Sequence, residues 1–177
     1  MDPRARFEAM YRAHAGAVRS FVHRRVSAGV ADDVVADVFV IAWRRLQEAP
    51  GDELPWLLAI ARGVLANRRR GEARQIALRD RLAAGTVTAT QQESEVFDRE
   101  SALMRALGSL SRLDQEVLVL VAWDGLDRSQ AASVLGITSG LFSVRLHRAR
   151  RRLRRALAAQ QDATEQQVGD QSAVEVL

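Results

Sequence analysis

Apolar residues recur at three- and four-residue steps along most of the chain, a spacing typical of amphipathic helices. In the first segment these positions are Phe7, Met10, Tyr11, Val18, Phe21, Val22 and Val26. Gly29 is predicted to interrupt this helix, and Asp32 offers a start signal for a second helix that ends near Gln47. The chain is therefore predicted to be helical almost throughout.

Loop residues separate the second helix from a third. Pro50, Gly51 and Pro55 mark a loop, and the apolar pattern that opens at Trp56 predicts a helix that ends near Gly71. Residues 74–100 are then rich in Gly, Thr and Gln, and finally in acidic residues, which is typical of a linker.

A second helical block and a polar end complete the plan. Helical spacing resumes over residues 101–157, whereas residues 158–177 are Gln-rich and acidic and are predicted to form a disordered tail. We therefore predict an all-α protein of two small helical domains joined by a flexible linker. The N-terminal helical bundle would occupy residues 1–73, the linker residues 74–100, and the C-terminal helix-turn-helix domain residues 101–157.

The C-terminal block contains a helix-turn-helix pattern. A short helix over residues 129–135 ends at Gly136, a residue suited to the left-handed conformation that stops helices. Ile137 and Thr138 would form the turn. Ser139 would cap the next helix, because its hydroxyl can accept a hydrogen bond from a free backbone N–H.

The helix after this turn carries seven arginines within the eleven residues from Arg145 to Arg155. At about 100° per residue, its apolar side chains fall in one arc and most of the arginines lie outside that arc. The arc consists of Phe142, Leu146, Ala149, Leu153, Ala156 and Leu157. A stripe kept in register over four turns indicates a docked helix and not an untidy basic tail.

The outward arginine face is either a solvated surface or a surface for nucleic acid. The preceding turn favours nucleic acid, because the second helix of such a motif enters the major groove. Candidate base contacts are Ser143, Val144, His147 and Arg148. Candidate phosphate contacts are Arg145, Arg151, Arg152 and Arg155. Val144 is consistent both with contact to a thymine methyl group and with a tolerated surface valine.

The charge distribution also indicates a polyanionic partner. All 26 basic residues are arginine, and the net charge is +4. Residues 158–177 contain four acidic residues and no basic one, so the rest of the chain carries +8. The body of the protein is basic and its end is acidic.

Common catalytic and metal-binding patterns are missing from the sequence. The absence of cysteine excludes disulfides, thiolate zinc sites and thiol catalysis, and His14, His23 and His147 lack metal-ligand spacing. The chain has no Gly-rich phosphate loop and no nucleophile elbow. We therefore predict a protein that is not an enzyme and that needs no cofactor or metal. No segment is apolar enough to enter a membrane or to act as a signal peptide, so we expect a cytoplasmic location.

Three stretches, in this order, resemble the extracytoplasmic-function class of bacterial sigma factors. "ADDVVADVFVIAWRRL" (residues 31–46) resembles the polymerase-binding helix, and "LPWLLAIARGVLANRRR" (residues 54–70) resembles the helix that binds the −10 promoter element. Residues 110–157 resemble the domain that binds the −35 element. The resemblance implies an initiation factor that binds core RNA polymerase, directs it to promoter DNA and assists melting. It also implies a possible anti-sigma partner.

The second helix would carry the polymerase contact. Val35, Val38, Phe39, Ala42 and Leu46 share its predicted core face. By resemblance, the polymerase-binding residues on the remaining surface are Asp33, Ala36, Asp37, Val40, Ile41 and Arg44. Acidic and β-branched residues at helical spacing suit a partner helix with basic and apolar positions. The alternative is a solvated face on which Asp33 and Asp37 pair with Arg44.

The third helix would carry the −10 contact. By resemblance, the residues concerned are Arg62, Gly63, Ala66, Asn67, Arg68, Arg69 and Arg70. A surface that opens a duplex must hold a single strand through backbone charge and base capture. We expect the loop over residues 48–55 to share in this capture, and we assign Trp43, Trp56 and Trp123 to packing.

The sequence departs from the family pattern at several positions. Gly63 stands where asparagine is usual, and Ala36 where glutamine is common. Ser139 is a further candidate for the −35 contact, at the start of the recognition helix. The helix continues with Gly140-Leu141-Phe142-Ser143, where the family usually has "GTV" followed by a basic residue. Gln130 and Ala131 replace an acid and an isoleucine. We expect these changes to leave the fold in place and to alter promoter choice, and to a lesser degree the strength of polymerase binding and of melting.

The sequence is also consistent with two other functions. One is a stand-alone helix-turn-helix regulator, which would bind duplex DNA without polymerase. The other is a degenerate sigma-like decoy, which would bind polymerase or an anti-sigma factor without opening DNA.

Overall fold

The computed structural model of the chain describes residues 2–82 and 102–174, and the side chains of residues 2–75 and 102–160. Its helices are α1 (Pro3–His23), α2 (Ala28–Arg44), α3 (Glu53–Leu82), α4 (Ala102–Gly108), α5 (Arg112–Ala122), α6 (Arg128–Leu135) and α7 (Ser139–Val174). One 3₁₀ turn, Leu46–Glu48, follows α2. The described residues contain no strand, so the all-α prediction is confirmed.

The chain divides into two compact units, as predicted. Among the described residues, the first unit comprises residues 2–82 with Ser133–Gly136, and the second comprises residues 102–132 with residues 137–174. The domain boundaries at residues 73 and 101 remain a proposal.

The first unit is a bundle in which α1, α2 and α3 pack against one another. Asp2 caps α1 by accepting a hydrogen bond from the Arg4 N–H at 3.1 Å, and Pro3 follows in the first turn. The core face predicted for the second helix is confirmed, because all five of its residues are buried: Val35, Val38, Phe39 and Ala42 on α2, and Leu46 in the 3₁₀ turn that follows. The helices α1 and α3, which pack against α2, also carry buried side chains, among them Phe21, Val22, Leu57 and Leu58.

The start predicted for the second helix is wrong. It begins at Ala28 after Ser27, whose carbonyl accepts hydrogen bonds from the N–H groups of Val30 and Ala31, so Gly29 and Asp32 lie inside the helix. One glycine costs a helix only about 1 kcal/mol relative to alanine. Burial of Ala31 and Val34 in the bundle outweighs that cost.

The end predicted for the third helix, near Gly71, is also wrong, because α3 continues to Leu82. Side chains bridge the glycine: Arg68 pairs with Glu72 at 3.6 Å, and Arg74 Nε donates to the Arg70 carbonyl at 3.2 Å. Residues 74–82 of the predicted linker are therefore helical. Its remaining residues, 83–100, lie outside the described residues.

The second unit is organised around α7, against which α4 and α5 pack. Ser111 caps α5 by accepting a hydrogen bond from the Asp114 N–H at 3.2 Å. The buried side chains of these helices include Leu107, Val117, Leu120, Phe142 and Leu146. Burial of these side chains where α4 and α5 pack against α7 fixes the position of α7 in the unit.

The helix α7 does not end at Leu157, as predicted, but continues to Val174. The prediction of a disordered tail is therefore wrong as far as Val174, and residues 175–177 lie outside the described residues. The Ala-Ala-Gln-Gln sequence that follows Leu157 consists of good helix formers. These residues extend a helix that is already nucleated, so they avoid the cost of starting one.

Candidate nucleic-acid and polymerase interfaces

The start of α6, the first helix of the helix-turn-helix, is fixed by short local hydrogen bonds. Asp127 Oδ1 accepts from the N–H groups of Ser129 and Gln130 at 2.7 and 2.9 Å, while Gln130 Oε1 accepts from the Asp127 N–H at 3.2 Å. This reciprocal pair is a capping box. Gln130, a departure from the family pattern, thus fixes the start of α6.

Gly136 ends α6 in the left-handed region, with φ of +66°. The Gly136 N–H donates to the Ser133 carbonyl at 3.1 Å, and the Ile137 N–H donates to the Ala132 carbonyl at 3.0 Å. The helix stop predicted at Gly136 is confirmed. A residue with a Cβ would be strained at this φ.

The cap predicted for α7 is wrong by one residue. Thr138 occupies the cap position, and its Oγ1 accepts from the Leu141 N–H at 3.3 Å. Its carbonyl accepts from the Phe142 N–H at 2.9 Å. Threonine and serine are both good caps, so the sequence alone did not separate Thr138 from Ser139.

The helix α7 is docked on one face and open on the other. Phe142, Leu146 and Ala149 of the predicted stripe are buried, and Leu153, Ala156 and Leu157 are half-buried. Seven of the nine −35 candidates are exposed: Ser139, Val144, His147, Arg148, Arg151, Arg152 and Arg155. Ser143 and Arg145 are half-buried. Across the described residues, His147, Arg148, Arg151 and Arg155 form no ion pair or hydrogen bond through their side chains.

Two −35 candidates already have partners within the protein. Arg152 Nη1 lies 2.5 Å from Asp114 Oδ2, so its guanidinium ties α7 to α5. Ser143 Oγ donates to the Ser139 carbonyl at 2.9 Å. These contacts give Arg152 and Ser143 structural roles that the sequence pattern did not indicate.

The −10 candidates line one stretch of α3. Gly63, Asn67 and Arg70 are exposed, while Arg62, Ala66, Arg68 and Arg69 are half-buried. Asn67 Oδ1 accepts a hydrogen bond from Arg70 Nη2, and Arg68 is held by Glu72. A Cβ placed on Gly63 would meet nothing within 4 Å, so packing does not require glycine at this position.

The polymerase-binding candidates lie on the outer surface of α2. Asp33, Ala36, Asp37, Val40 and Arg44 are exposed, and Ile41 is half-buried. Within the described residues, Asp33, Asp37 and Arg44 form no ion pair, so the alternative of an internally neutralised face receives no support. Val40 is 47% exposed, although a valine side chain stabilises the fold only to the extent that it is buried.

The tryptophan assignments were incomplete. Trp43 packs edge-on against Phe7, with ring centroids 5.2 Å apart, yet 44% of it is exposed beside Val40 and Arg44 on α2. Trp123 at the end of α5 is 40% exposed, and Trp56 is half-buried. Leu141, 43% exposed near the start of α7, was also missed. Its position outside the apolar stripe of α7 was the signal available in the sequence.

The described part of the chain has no cluster of metal-binding side chains and no helix that could span a membrane. There, no group of three histidine or acidic side chains is arranged to hold a metal ion. None of the described helices combines the length and apolar character needed to cross a membrane.

Family models match both parts of the chain. The model of sigma-70 region 2 matches residues 10–75, and the model of sigma-70 region 4 matches residues 100–153. The RNA polymerase sigma factor CnrH of Cupriavidus metallidurans is 34% identical over 141 residues, which cover 72% of this chain and 73% of CnrH. The RNA polymerase sigma factor NccH of Alcaligenes xylosoxydans xylosoxydans is 29% identical over 160 residues, which cover 85% of this chain and 83% of NccH.

Among the solved structures that are similar to this chain are two that each cover 86% of it. One is the sigma factor RpoE of Bartonella quintana in complex with the anti-sigma factor NepR, with a TM-score of 0.63, 25% identity and 96% of its chain covered. The other is CnrH in complex with the cytosolic domain of CnrY, with a TM-score of 0.58, 27% identity and 88% of its chain covered.

Proposed function

The chain belongs to the extracytoplasmic-function class of sigma-70 factors, and we propose that the exposed faces of α2, α3 and α7 make its contacts with polymerase and promoter. A factor of this class is a transcription initiation factor: it brings core RNA polymerase to a promoter and assists melting. The observation that carries the residue assignments is the divided surface of α7. Its apolar side is docked, whereas Arg148, Arg151 and Arg155 are exposed on its other side.

The outer face of α2 is assigned to core polymerase. Asp33 and Asp37 are four residues apart, and like charges at this spacing destabilise an isolated helix by a few tenths of a kcal/mol. Neither is neutralised by an ion pair within the described residues. Uncompensated carboxylates beside the exposed Val40 suit a partner helix with basic and apolar positions.

The exposed part of α3 is assigned to the −10 element. Arg62 and Arg70 supply positive charge for a strand backbone, and Asn67 lies between them on the chain. Single-stranded DNA is held by such charge together with contacts to unstacked bases. Gly63 offers no side chain to DNA on this surface, so we expect the neighbouring side chains to contact the bases of the −10 element.

The outward face of α7 is assigned to the −35 element. A helix that follows a fixed turn can place its N-terminal residues against base edges in the major groove. Arg148 is exposed and has no partner within the described residues, which leaves its guanidinium available for a guanine edge. Arg151 and Arg155 continue the same face and are assigned to phosphates.

An anti-sigma partner is part of the proposal. The similar sigma factor RpoE was solved with the anti-sigma factor NepR, which supports the same kind of regulation here. We propose that such a protein competes with polymerase for this chain. In this role the protein acts in the cytoplasm and catalyses no reaction itself.

Transcription with purified core polymerase tests the proposal. We expect the chain to co-elute with core polymerase and to direct initiation from defined start sites on genomic fragments. Permanganate should then detect open thymines at the −10 element. A chain that binds polymerase without opening DNA would be a decoy, and one that protects duplex DNA without polymerase would be a stand-alone regulator. Either result would refute the proposal.

A further inference from the structure

Two exposed apolar side chains lie at the start of the recognition helix. Leu141 is 43% exposed and Val144 is 47% exposed, whereas Phe142, the residue after Leu141, is fully buried. Residues three positions apart are neighbours on a helix surface, with Cβ atoms about 5–6 Å apart. Leu141 and Val144 therefore form one small apolar patch outside the buried face of α7.

The polar groups near this patch are partly engaged. Thr138 Oγ1 accepts from the Leu141 N–H, and the Ser143 hydroxyl donates to the Ser139 carbonyl. Neither hydroxyl is left with its full hydrogen-bonding capacity for a base edge. The first two turns of α7 thus present mainly apolar surface and one exposed serine, Ser139.

Arginines surround the patch and indicate its occupant. At about 100° per residue, the direction of Arg148 falls between those of Leu141 and Val144, and Arg151 and Arg155 lie within about 20° of Val144. All three arginines are exposed. A surface so rich in positive charge suits DNA better than an apolar protein partner.

We propose that Leu141 and Val144 recognise thymine methyl groups in the major groove of the −35 element. This inference rests on the function proposed above, and it adds the kind of sequence that α7 selects. Only A·T pairs present a methyl group in the major groove, and apolar side chains are its natural partners. Because the Cβ spacing of about 5–6 Å corresponds to one or two base steps of about 3.4 Å, the two thymines would lie at most two steps apart.

Deoxyuracil provides a sharp test, because it differs from thymine only in lacking the methyl group. The probe is a duplex with the −35 element of a promoter mapped with reconstituted polymerase, and the protein is the full chain bound to core polymerase. Each thymine of the element is replaced in turn. We expect one or two of these replacements to weaken binding about three- to tenfold, the effect of losing a buried methyl contact.

Variants assign the effect to the two side chains. With Leu141→Ala or Val144→Ala, one of the sensitive thymines should become indifferent to deoxyuracil. Leu113→Ala is the matched control, because Leu113 is 40% exposed on α5 and has no place in the proposal. It should retain the wild-type response at every thymine.

The failures are distinguishable. If the wild-type holoenzyme initiates correctly but ignores every methyl group, this inference is overturned and the proposed function stands. If Leu141→Ala and Val144→Ala impair polymerase capture instead of DNA recognition, the patch contacts protein, which also overturns the inference. If no promoter can be mapped at all, the proposed function itself fails.

Discussion

Arg152 and Asp114 join the recognition helix to α5 across 38 residues of chain, with Nη1 of the arginine 2.5 Å from Oδ2 of the carboxylate. Asp114 is 93% buried, as only 7% of it is exposed, and Ser111 Oγ donates to the same oxygen at 2.8 Å. Arg152 thus belongs to the arginine face by position and to the packing of the second unit by contact. The neighbouring Arg151 has no such partner within the described residues.

This difference predicts opposite effects for two adjacent arginines. Arg152→Ala should lower the free energy of unfolding by about 1–3 kcal/mol, because it deprives a buried carboxylate of a charged partner. Arg151→Ala should change stability by less than about 0.5 kcal/mol and weaken DNA binding instead. Urea denaturation and DNA titration of both variants measure the two quantities. Equal stabilities would show that the ion pair contributes nothing to packing.

Arg148 should be a base contact. Arg148→Ala is expected to weaken binding to the −35 element by about 1–3 kcal/mol and to relax the preference at one base pair, as for a bidentate contact to guanine. Arg155→Ala is the control, since loss of a phosphate contact weakens all sequences alike. Binding to a set of single-base variants of the element separates the two patterns. Uniform weakening by Arg148→Ala would identify it as another phosphate contact.

Asp37 should be required for polymerase and dispensable for folding. Asp37→Arg reverses a charge on the exposed face of α2, so we expect loss of co-elution with core polymerase and a melting temperature close to that of the wild type. Arg19→Glu is the control: it reverses a charge on α1 of the same unit, a change of equal size and opposite sign at an exposed position, and it should retain polymerase. A large fall in melting temperature for Asp37→Arg would show that this face is needed for packing.

The periodic part of this fold could be predicted from the sequence. Helical spacing identified the core residues of α2 and the docked side of α7, because burial of one face imposes that pattern. Gly136 was also identified, since its left-handed conformation strongly favours glycine. Interior glycines were misread as ends. Gly29 and Gly71 each weaken a helix only slightly, and the outcome is decided by packing and side-chain bridges that a local pattern does not contain.

The candidate sites were predicted less completely than the fold. The pairing of Arg152 with Asp114 connects residues far apart in the sequence, so no spacing rule indicated it. The exposure of Leu141 was not predicted, although this residue lies outside the apolar stripe of α7. Exposure of Trp43 depends on how α1 and α2 pack, and residue type alone favours burial of such a side chain.

The same substitution should have opposite effects at two glycines. Gly63 lies inside α3, and a Cβ there would meet nothing within 4 Å, so Gly63→Ala should stabilise the protein by about 0.5–1 kcal/mol. Gly136 has a φ of +66°, so Gly136→Ala should destabilise it by about 1–2 kcal/mol. Thermal unfolding monitored by circular dichroism measures both. Destabilisation by Gly63→Ala would mean that this position needs glycine for a close approach.

The acidic end of α7 is expected not to shield the arginine face of the same helix. At a rise of about 1.5 Å per residue, Asp162 lies about 10 Å along the axis from Arg155 and about 21 Å from Arg148. Interactions between exposed charges are largely screened beyond about 8 Å at physiological ionic strength. Since the helix continues to Val174, the acidic residues are carried away from the DNA-binding end.

Deletion of residues 161–177 should therefore change affinity for a −35 duplex by less than about twofold and leave the slope of log Kd against log salt unaltered. The deletion starts after Gln160, whose side chain is half-buried, so that packing in the second unit is retained. Replacing Asp162, Glu165, Asp170 and Glu175 by their amides is the matched control, because it removes the same charge and keeps the chain length. The prediction is contradicted if both variants bind DNA more tightly than the wild type at low salt and lose this advantage at high salt. The acidic residues would then have to leave the helix and lie against the arginines.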